Sequence, residues 1–235
     1  MSVSAADLTL AIDTATADTV AGIGRGAELL GERRISSAAD GRPRHGPALL
    51  VAVQEVVDGA GGWDRVERIA VGIGPGSFTG IRIGVATARA LAQARALPIA
   101  GVETTAALAA GIPAEPGRAR LAVVDARRSE VFVALLHPAE PIAGPPLVLA
   151  PEAVAATSQG ARGSLAAGDG AVRFRSELEA AGIGVLADEH PAHRLSARHV
   201  CAISESVAAG PPEDVRPLYL RRPDAEQWRE RDGRN

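Results

Sequence analysis

The feature that most constrains this chain is a hairpin pattern that occurs twice, 112 residues apart. In each copy a short apolar run ends at an aspartate, and a polar turn then leads into a second apolar run. The first copy begins at residues 8–12 and ends at Asp13, and the second begins at residues 121–124 and ends at Asp125. Self-similarity of this kind predicts two lobes built on the same plan.

The first half of the chain predicts a defined order of elements. A third strand follows at residues 28–35, and residues 36–46 are loop-like. Apolar residues at helical spacing begin at Pro47, a glycine-bounded strand covers 68–73, and a helix covers about 81–97. This order, with three strands followed by a helix, a strand and a helix, is the repeating half of ribonuclease-H-like and actin-like folds. We therefore predict an α/β protein with an actin-like ATPase fold, each lobe having a mixed sheet flanked by helices.

The second half contains weaker signals for the same plan. The predicted helices and strands lie near residues 152–156, 171–181 and 196–209 (helices) and near 165–167 and 185–187 (strands).

These elements predict a division of the chain into an N-terminal lobe at 1–105 and a C-terminal lobe at 106–222. The helix near 196–209 is expected to pack back on the first lobe. Residues 223–235 are highly charged and are predicted to form a flexible tail.

Composition excludes several kinds of chemistry. All 25 basic residues are arginine, so Schiff-base catalysis and a Walker-type phosphate lysine are impossible. Cys201 is the single cysteine, which excludes a disulfide framework within one chain. The formal net charge of −3 argues against a protein that grips nucleic acid alone. With no signal-peptide pattern and no run of 18 apolar residues, we expect a cytoplasmic protein without membrane contact.

The most informative stretch is the glycine-rich segment GIGPGSFTGIRIG at residues 72–84. Ser77 or Thr79 can cap the following helix, whose N-terminus would favour an anion. A weak candidate anion or cofactor loop is therefore formed by Gly74, Gly76, Ser77 and Thr79. The spacing matches neither GxGxxG nor GxxxxGK[ST], so a tight strand-to-helix turn is the structural alternative.

The helix after this loop has a face with almost no side chains. Glycine or alanine recurs every fourth residue, which allows another helix to approach closely. We predict that this helix and the one after Pro47 form a partner interface, so that Val53→Glu or Val85→Glu would weaken association and leave the lobe folded. The alternative is that the sheet and the helix after Pro47 cover this helix completely, in which case the valines face the core and the substitutions unfold the lobe. The predicted interface residues are Leu49, Val53, Val57, Gly84, Val85, Ala88 and Ala92.

The histidines do not predict a metal site. His190 and His193 are three residues apart, but Pro191 lies between them and is incompatible with a helix interior. We expect no metal ligands and no catalytic residues in this chain.

The sequence resembles a known family at four places. GPGSFTGIRIGVATARALA looks like the signature of the TsaB (YeaZ) family, and AIDTAT, VVDARRSEVF and PLYLRR match it at the expected positions, so that the similarity runs from about residue 8 to 222. The resemblance implies an actin-like fold and paralogy with TsaD, the transferase that makes threonylcarbamoyladenosine beside the anticodon of tRNA.

The resemblance also implies a role and partners. It implies a non-catalytic scaffold that is no enzyme on its own, binds a TsaD-type transferase and a TsaE-type ATPase, and forms homodimers when alone. ATP, magnesium and metal would belong to the partners, and tRNA would be reached only through the complex. Active members of the superfamily have a glycine soon after the first acid of each hairpin, whereas this chain has Ala15 and Arg127 there.

Two other classes of function stay open. One is an active ATPase or small-molecule kinase of the same superfamily, which would bind ATP and magnesium by itself. The other is a metallopeptidase, which the lack of a helical histidine pair disfavours.

Overall fold

The computed structural model describes residues 8–37 and 45–221. Two five-stranded sheets form the framework, and each has the strand order 3-2-1-4-5 when its strands are counted along its own half of the chain. The first sheet runs β3-β2-β1-β4-β5 and the second runs β8-β7-β6-β9-β10. The predicted internal repeat and the two-lobed, mixed-sheet fold are therefore confirmed. The strands are β1 (Leu8–Asp13), β2 (Thr19–Arg25), β3 (Glu28–Ile35), β4 (Val66–Gly74), β5 (Ile99–Glu103), β6 (Arg120–Arg127), β7 (Glu130–Leu136), β8 (Leu147–Leu149), β9 (Leu165–Ala167) and β10 (Gly184–Val185).

Seven α-helices lie in the described part of the chain. The helices predicted to begin at Pro47 and near residue 81 begin at His45 and Phe78, and the helix at Thr104–Ala110 was not predicted. The helices are α1 (His45–Gly59), α2 (Phe78–Arg95), α3 (Thr104–Ala110), α4 (Val154–Thr157), α5 (Asp169–Arg173), α6 (Arg175–Ala180) and α7 (Ala197–Ser204).

Two helices differ from their predicted extents. The helix expected at 171–181 is broken at Phe174, whose φ of −112° and ψ of 33° leave the helical region while its ring packs into the core of the second lobe. The helix expected at 196–209 ends at Ser204, where the Arg68 guanidinium donates to the carbonyl oxygens of Ser204 and Val207. Tertiary contacts that no local pattern shows decide both outcomes.

The two lobes share a hydrophobic core. It joins residues of the first sheet such as Ala11 and Val102 to residues of the second sheet such as Val124 and Phe132. Helix α3 packs against β6 and β7, and α7 packs against β1 and β2, so each helix lies between the sheets. Any hinge motion of the lobes would have to disrupt this core.

In the two described ranges, no helix is long and apolar enough to cross a membrane. The predicted tail at 223–235 lies outside the described residues.

Candidate functional site

The glycine-rich loop packs against the turn between β1 and β2. A Cβ atom added to Gly76 would overlap the carbonyl oxygen of Ala15, and one added to Gly80 would overlap that of Thr14. A Cβ on Gly84 would meet the Thr14 hydroxyl, which donates to the Gly80 carbonyl at 2.7 Å. These glycines are therefore explained by the close approach of α2 to the chain's own backbone.

The hydrogen-bond donors of the glycine-rich loop also bond to acceptors within the chain itself. The backbone N–H of Ser77 donates to the Ala15 carbonyl at 2.7 Å, and the Ser77 hydroxyl accepts from the backbone N–H of Gly80 at 3.3 Å as the N-cap of α2. Gly74 has a φ of 101°, and Thr79 is exposed. The geometry favours the tight strand-to-helix turn over an anion cradle for the four candidate loop residues.

Asp13 is buried beneath the first hairpin, with 1% of its surface exposed. One carboxylate oxygen accepts from the backbone N–H of Ala15 at 2.7 Å, and the other accepts from the Thr104 hydroxyl at 2.7 Å. Burial of the carboxylate raises the pKa of Asp13 from 3.8 to about 6, and these two hydrogen bonds partly oppose the shift. One oxygen therefore holds the β1–β2 turn, and the other holds the start of α3.

Asp13→Asn is expected to change how stability depends on pH. Because the folded-state pKa of Asp13 is raised, the group stabilises the fold below pH 3.8, and this contribution is lost as pH rises through about 6. The free energy of unfolding of the variant relative to wild type should therefore rise by up to about 3 kcal/mol between pH 4 and pH 7.5. Asparagine keeps the bond from the Ala15 N–H through its Oδ1, and its amide N–H donates to the Thr104 hydroxyl, which then acts as the acceptor. Denaturant titrations at both pH values measure the effect, with the exposed Asp58→Asn as control; parallel pH profiles for all three proteins would contradict it.

The second hairpin carries a network of charged groups. Asp125 accepts from the Arg127 backbone N–H at 2.8 Å and from the Arg173 guanidinium at 2.8 Å. Asp169, at the start of α5, accepts from the backbone N–H groups of Asp125 at 3.0 Å and Gly170 at 2.8 Å. Burial is the main cause that raises the pKa of Asp169.

The tip of this hairpin has an unusual backbone. Arg127, Arg128 and Ser129 have φ values of 64°, 54° and 58°, all in the left-handed region that non-glycine residues rarely occupy. Arg127 pairs with Glu130, so Arg128 and Ser129 form a two-residue turn with positive φ at both positions, as in type I′. Asn-Gly is the preferred pair for such a turn, and each left-handed arginine costs about 1 kcal/mol or more.

The segment of residues 215–221, called the C-terminal strap below, connects the two lobes. The backbone N–H of Leu218 donates to the carbonyl of Ile73 at 2.8 Å, and Tyr219 stacks on Phe78 with ring centroids 4.9 Å apart. At the far end, the Arg221 guanidinium donates to the Ala126 carbonyl at 2.9 Å and forms an ion pair with Glu130. The strap explains the position of the PLYLRR motif.

These parts enclose an interlobe cleft with a volume of about 520 Å³. Its walls are the β1–β2 turn, the glycine-rich loop, the second hairpin, the start of α5 and the C-terminal strap. Ala15 is buried against Gly76, while Arg127 is exposed at the rim. The sequence did not predict the contribution of the strap, which only tertiary contacts bring to this place.

The seven predicted interface residues lie inside the chain itself. Leu49, Val53 and Val57 are at most 2% exposed, and Val85 is 3% exposed. Gly84, Ala88 and Ala92 are also buried. None of the seven is available on the surface, because they hold α1 and α2 against the first sheet and against each other. Val53→Glu or Val85→Glu would place a carboxylate in the core and unfold the lobe.

The exposed faces of the same two helices carry different residues. On α1, Leu50 and Val51 are each 57% exposed, the highest values among the large exposed hydrophobic side chains of the described residues. On α2, Arg82 and Ala86 line a groove of about 1010 Å³ that lies between this helix and residues 210–219. The apolar run after Pro47 could have indicated this surface, since it is too continuous for one buried face.

His190 and His193 have structural roles. The two ring nitrogens of His193 interact with the backbone of Gly168 at 3.1 Å and with the carbonyl of Ala187 at 3.0 Å. His190 caps a short 3-10 turn through the backbone N–H of Ala192 at 3.1 Å. Within the part of the chain that the structure describes, no group of three potential metal ligands occurs.

Comparison with known proteins gives the same fold and a family. The profile of the family described as TsaD, tRNA N6-adenosine threonylcarbamoyltransferase, matches residues 40–167. The solved structure of YeaZ from Pseudomonas aeruginosa superimposes with a TM-score of 0.72 at 25% identity, covering 91% of this chain and all of that one.

Sequence relatives agree with this result. An uncharacterised protein of Mycobacterium tuberculosis is 35% identical over 218 residues, 92% of each chain. The tRNA threonylcarbamoyladenosine biosynthesis protein TsaB of Escherichia coli is 39% identical over 127 residues, 52% of each chain. Some matches are shorter, as with a Mycobacterium leprae protein of which this chain covers 38%.

The two repeated mixed sheets define a two-lobed α/β protein with an actin-like ATPase fold. Within that class, the chain belongs to the TsaB (YeaZ) family, whose named members are tRNA threonylcarbamoyladenosine biosynthesis proteins.

Proposed function

We propose that this chain is a non-catalytic scaffold subunit of the complex that places a threonylcarbamoyl group on the adenosine beside the anticodon of tRNA. It binds and supports a TsaD-type transferase and works with a TsaE-type ATPase, and it forms a homodimer when alone. In this proposal ATP, magnesium and metal are bound by the partners, and tRNA is reached only through the complex.

The observation that carries the proposal is the exposed apolar face of α1. Leu50 and Val51 are adjacent, and each leaves more than half of its surface in water although the chain has enough apolar residues for a closed core. Exposed apolar groups of this kind mark interaction sites when they lie together and have a polar rim. Here the rim is formed by the exposed Gln54 and Glu55 on the next turn of α1.

The charges on the exposed sides of α1 and α2 predict how two chains are oriented when they associate. The exposed face of α1 continues to the acidic Asp58, whereas the side of α2 that lines the groove carries Arg82 and Arg89. Two copies related by a twofold axis can place the acidic helix of one against the basic helix of the other, since such interfaces are self-complementary. A paralogous partner with the same fold can use the same arrangement.

The packing inside the chain favours a scaffold role over a role that depends on nucleotide-driven closure of the lobes. Lobe closure around a ligand requires a hinge, yet the lobes share one hydrophobic core and are joined by the ion pair of Asp18 with Arg194 at 2.7 Å. The Ser196 hydroxyl also donates to Glu32 across the lobes at 2.7 Å. At the glycine-rich loop, the Ser77 N–H that would face a phosphate is already bonded to Ala15.

Reconstitution tests the proposal directly. The chain should co-purify with a TsaD-type protein of the same organism, and modification of tRNA should require both proteins, whereas this chain alone should transfer nothing. A complete modification reaction without this chain would contradict the scaffold role.

Calorimetry separates the proposal from the alternative of an active ATPase or kinase. The isolated chain should not bind ATP with magnesium at micromolar affinity and should not hydrolyse it. Turnover of ATP by the isolated chain would support the alternative.

A further inference from the structure

The groove between α2 and residues 210–219 is large enough to hold a bulky side chain. Its volume of about 1010 Å³ is nearly twice that of the interlobe cleft. The wall on α2 carries Ala86 and Ala90, which are both exposed. The opposite wall carries the ring of Tyr219 and three proline rings, those of Pro211, Pro212 and Pro217. A wall of small residues that faces a wall of rigid rings suits one inserted aromatic group.

The groove also carries an excess of positive charge. Arg82 and Arg89 line it, and Glu213 is the single acidic residue among the described residues that do so. The Arg82 guanidinium lies 5.2 Å from the ring centroid of Phe78, at the end of the groove where Tyr219 stacks on the same ring. No ion pair within the described ranges engages either arginine. The groove therefore suits a segment that combines an aromatic group with carboxylates.

The chain itself contains such a segment. Residues 222–235 have the sequence RPDAEQWRERDGRN and lie outside the described residues. Asp224 and Glu226 precede Trp228, which is one of the two tryptophans of the chain. A tryptophan side chain can bury about 150–250 Å² of surface, so one such residue can fill a groove of this kind.

This segment is long enough to reach the groove. Tyr219, which lines the groove, is two residues before Arg221, the last described residue. The seven residues from Arg221 to Trp228 span up to about 25 Å when extended, whereas the part of α2 that lines the groove, residues 82–93, is about 17 Å long. Since Arg221 contacts the second lobe, the chain has to turn back, and Pro223 is a residue type that favours turns.

We propose that the groove binds residues 222–235 of the same chain, with Trp228 between the alanine and proline walls and the two acidic residues beside the two arginines. Docking needs only a modest intrinsic affinity, because attachment to the chain gives the segment an effective concentration on the order of millimolar. The exposed face of α1 offers the same combination of apolar and acidic side chains, so a docked segment has to leave before the α1 of a partner enters the groove. That consequence rests on the proposed function, whereas the docking itself does not.

Fluorine NMR of the full chain labelled with 5-fluorotryptophan tests the docking. The chain gives two signals, from Trp63 and Trp228, and Trp228→Phe assigns them. The Trp228 signal should be shifted from that of a labelled synthetic peptide of residues 222–235, and its position should not depend on protein concentration. A Trp228 signal at the position of the free peptide would overturn the proposal. A shift that grows with protein concentration would place the segment on a second copy of the chain and would overturn it as well.

Ala90→Glu locates the docked segment. The substitution adds bulk and negative charge to the α2 wall, so the Trp228 signal should lose its shift and move to the position of the free peptide. Ala94→Glu is the matched control, because it makes the same change at an exposed residue one turn further along α2 that does not line the groove. Thermal unfolding verifies the fold of both variants, and Ala86→Glu replaces Ala90→Glu if that protein does not fold. A Trp228 signal that Ala90→Glu leaves in place, or that both substitutions move equally, would overturn the proposal.

Addition of a TsaD-type transferase to the labelled chain tests the consequence for partner binding. The Trp228 signal should leave its docked position as the complex forms, and sedimentation velocity measures how much complex is present. A signal that keeps its docked position in the saturated complex would overturn the competition between the segment and the partner. If no complex forms, the proposed function fails, and the docking is still decided by the free chain and its Ala90→Glu variant.

Discussion

Leu50→Glu and Val51→Glu are expected to abolish both self-association and binding to a TsaD-type partner while leaving the monomer folded. Each side chain is 57% exposed in the single chain, so a carboxylate there stays in water until a partner covers it. Burying an unpaired carboxylate in an apolar interface costs several kcal/mol, which lowers affinity by about a hundredfold or more. Sedimentation equilibrium measures self-association, and surface plasmon resonance measures binding to the transferase.

The matched control for this experiment is Leu147→Glu. Leu147 is 41% exposed at the start of β8 in the second lobe, far along the chain from α1, and the change is chemically identical. It should leave both associations at wild-type strength. If the α1 variants unfold at the wild-type temperature yet associate as strongly as wild type, the exposed face of α1 is not the contact, and the scaffold surface must be sought elsewhere.

Gly80→Ala is expected to destabilise the chain by about 3 kcal/mol or more. A Cβ at this position would overlap the carbonyl oxygen of Thr14 and lie 3.2 Å from the His45 ring. Backbone cannot yield as a flexible side chain can, so α2 would have to move away from the first hairpin. The separation would also break the bond from the Thr14 hydroxyl to the Gly80 carbonyl. Chemical denaturation followed by circular dichroism measures the loss.

Gly59→Ala provides the comparison, because a Cβ there meets nothing within 4 Å and Gly59 is the last residue of α1. Its free energy of unfolding should lie within about 0.5 kcal/mol of the wild-type value or slightly above it. A Gly80→Ala protein as stable as Gly59→Ala would mean that α2 is not tightly packed on the first hairpin, and the explanation of the glycine-rich motif would fail.

Local sequence patterns were sufficient to predict much of the framework of the two sheets. Period and composition predicted β3 and β9 at their observed bounds, and the recurrence of an apolar run ending at Asp13 and Asp125 predicted the repeat. These signals are local or arise from repetition along the chain, so sequence alone can reveal them. The same local signals failed at Phe174, where core packing overrides a continuous helical pattern.

The assignment of surface and core could not be made from the sequence. The small-residue ridge of α2 predicted close approach by another helix, whereas its glycines Gly80 and Gly84 meet the chain's own β1–β2 turn. Helical spacing shows that Leu49 and Leu50 lie on different sides of α1, yet it does not show which side meets the sheet. The structure buries Leu49 and exposes Leu50.

The sequence by itself therefore determined the two-lobed fold, the chemistry that the absence of lysine excludes, and the family. Only the tertiary structure decided which residues a partner can reach and what lines the cleft. Fold class follows from periodicity along the chain, which is a local property. Exposure and site composition depend on contacts such as that of Tyr219 with Phe78, between residues 141 positions apart, and no local pattern encodes them.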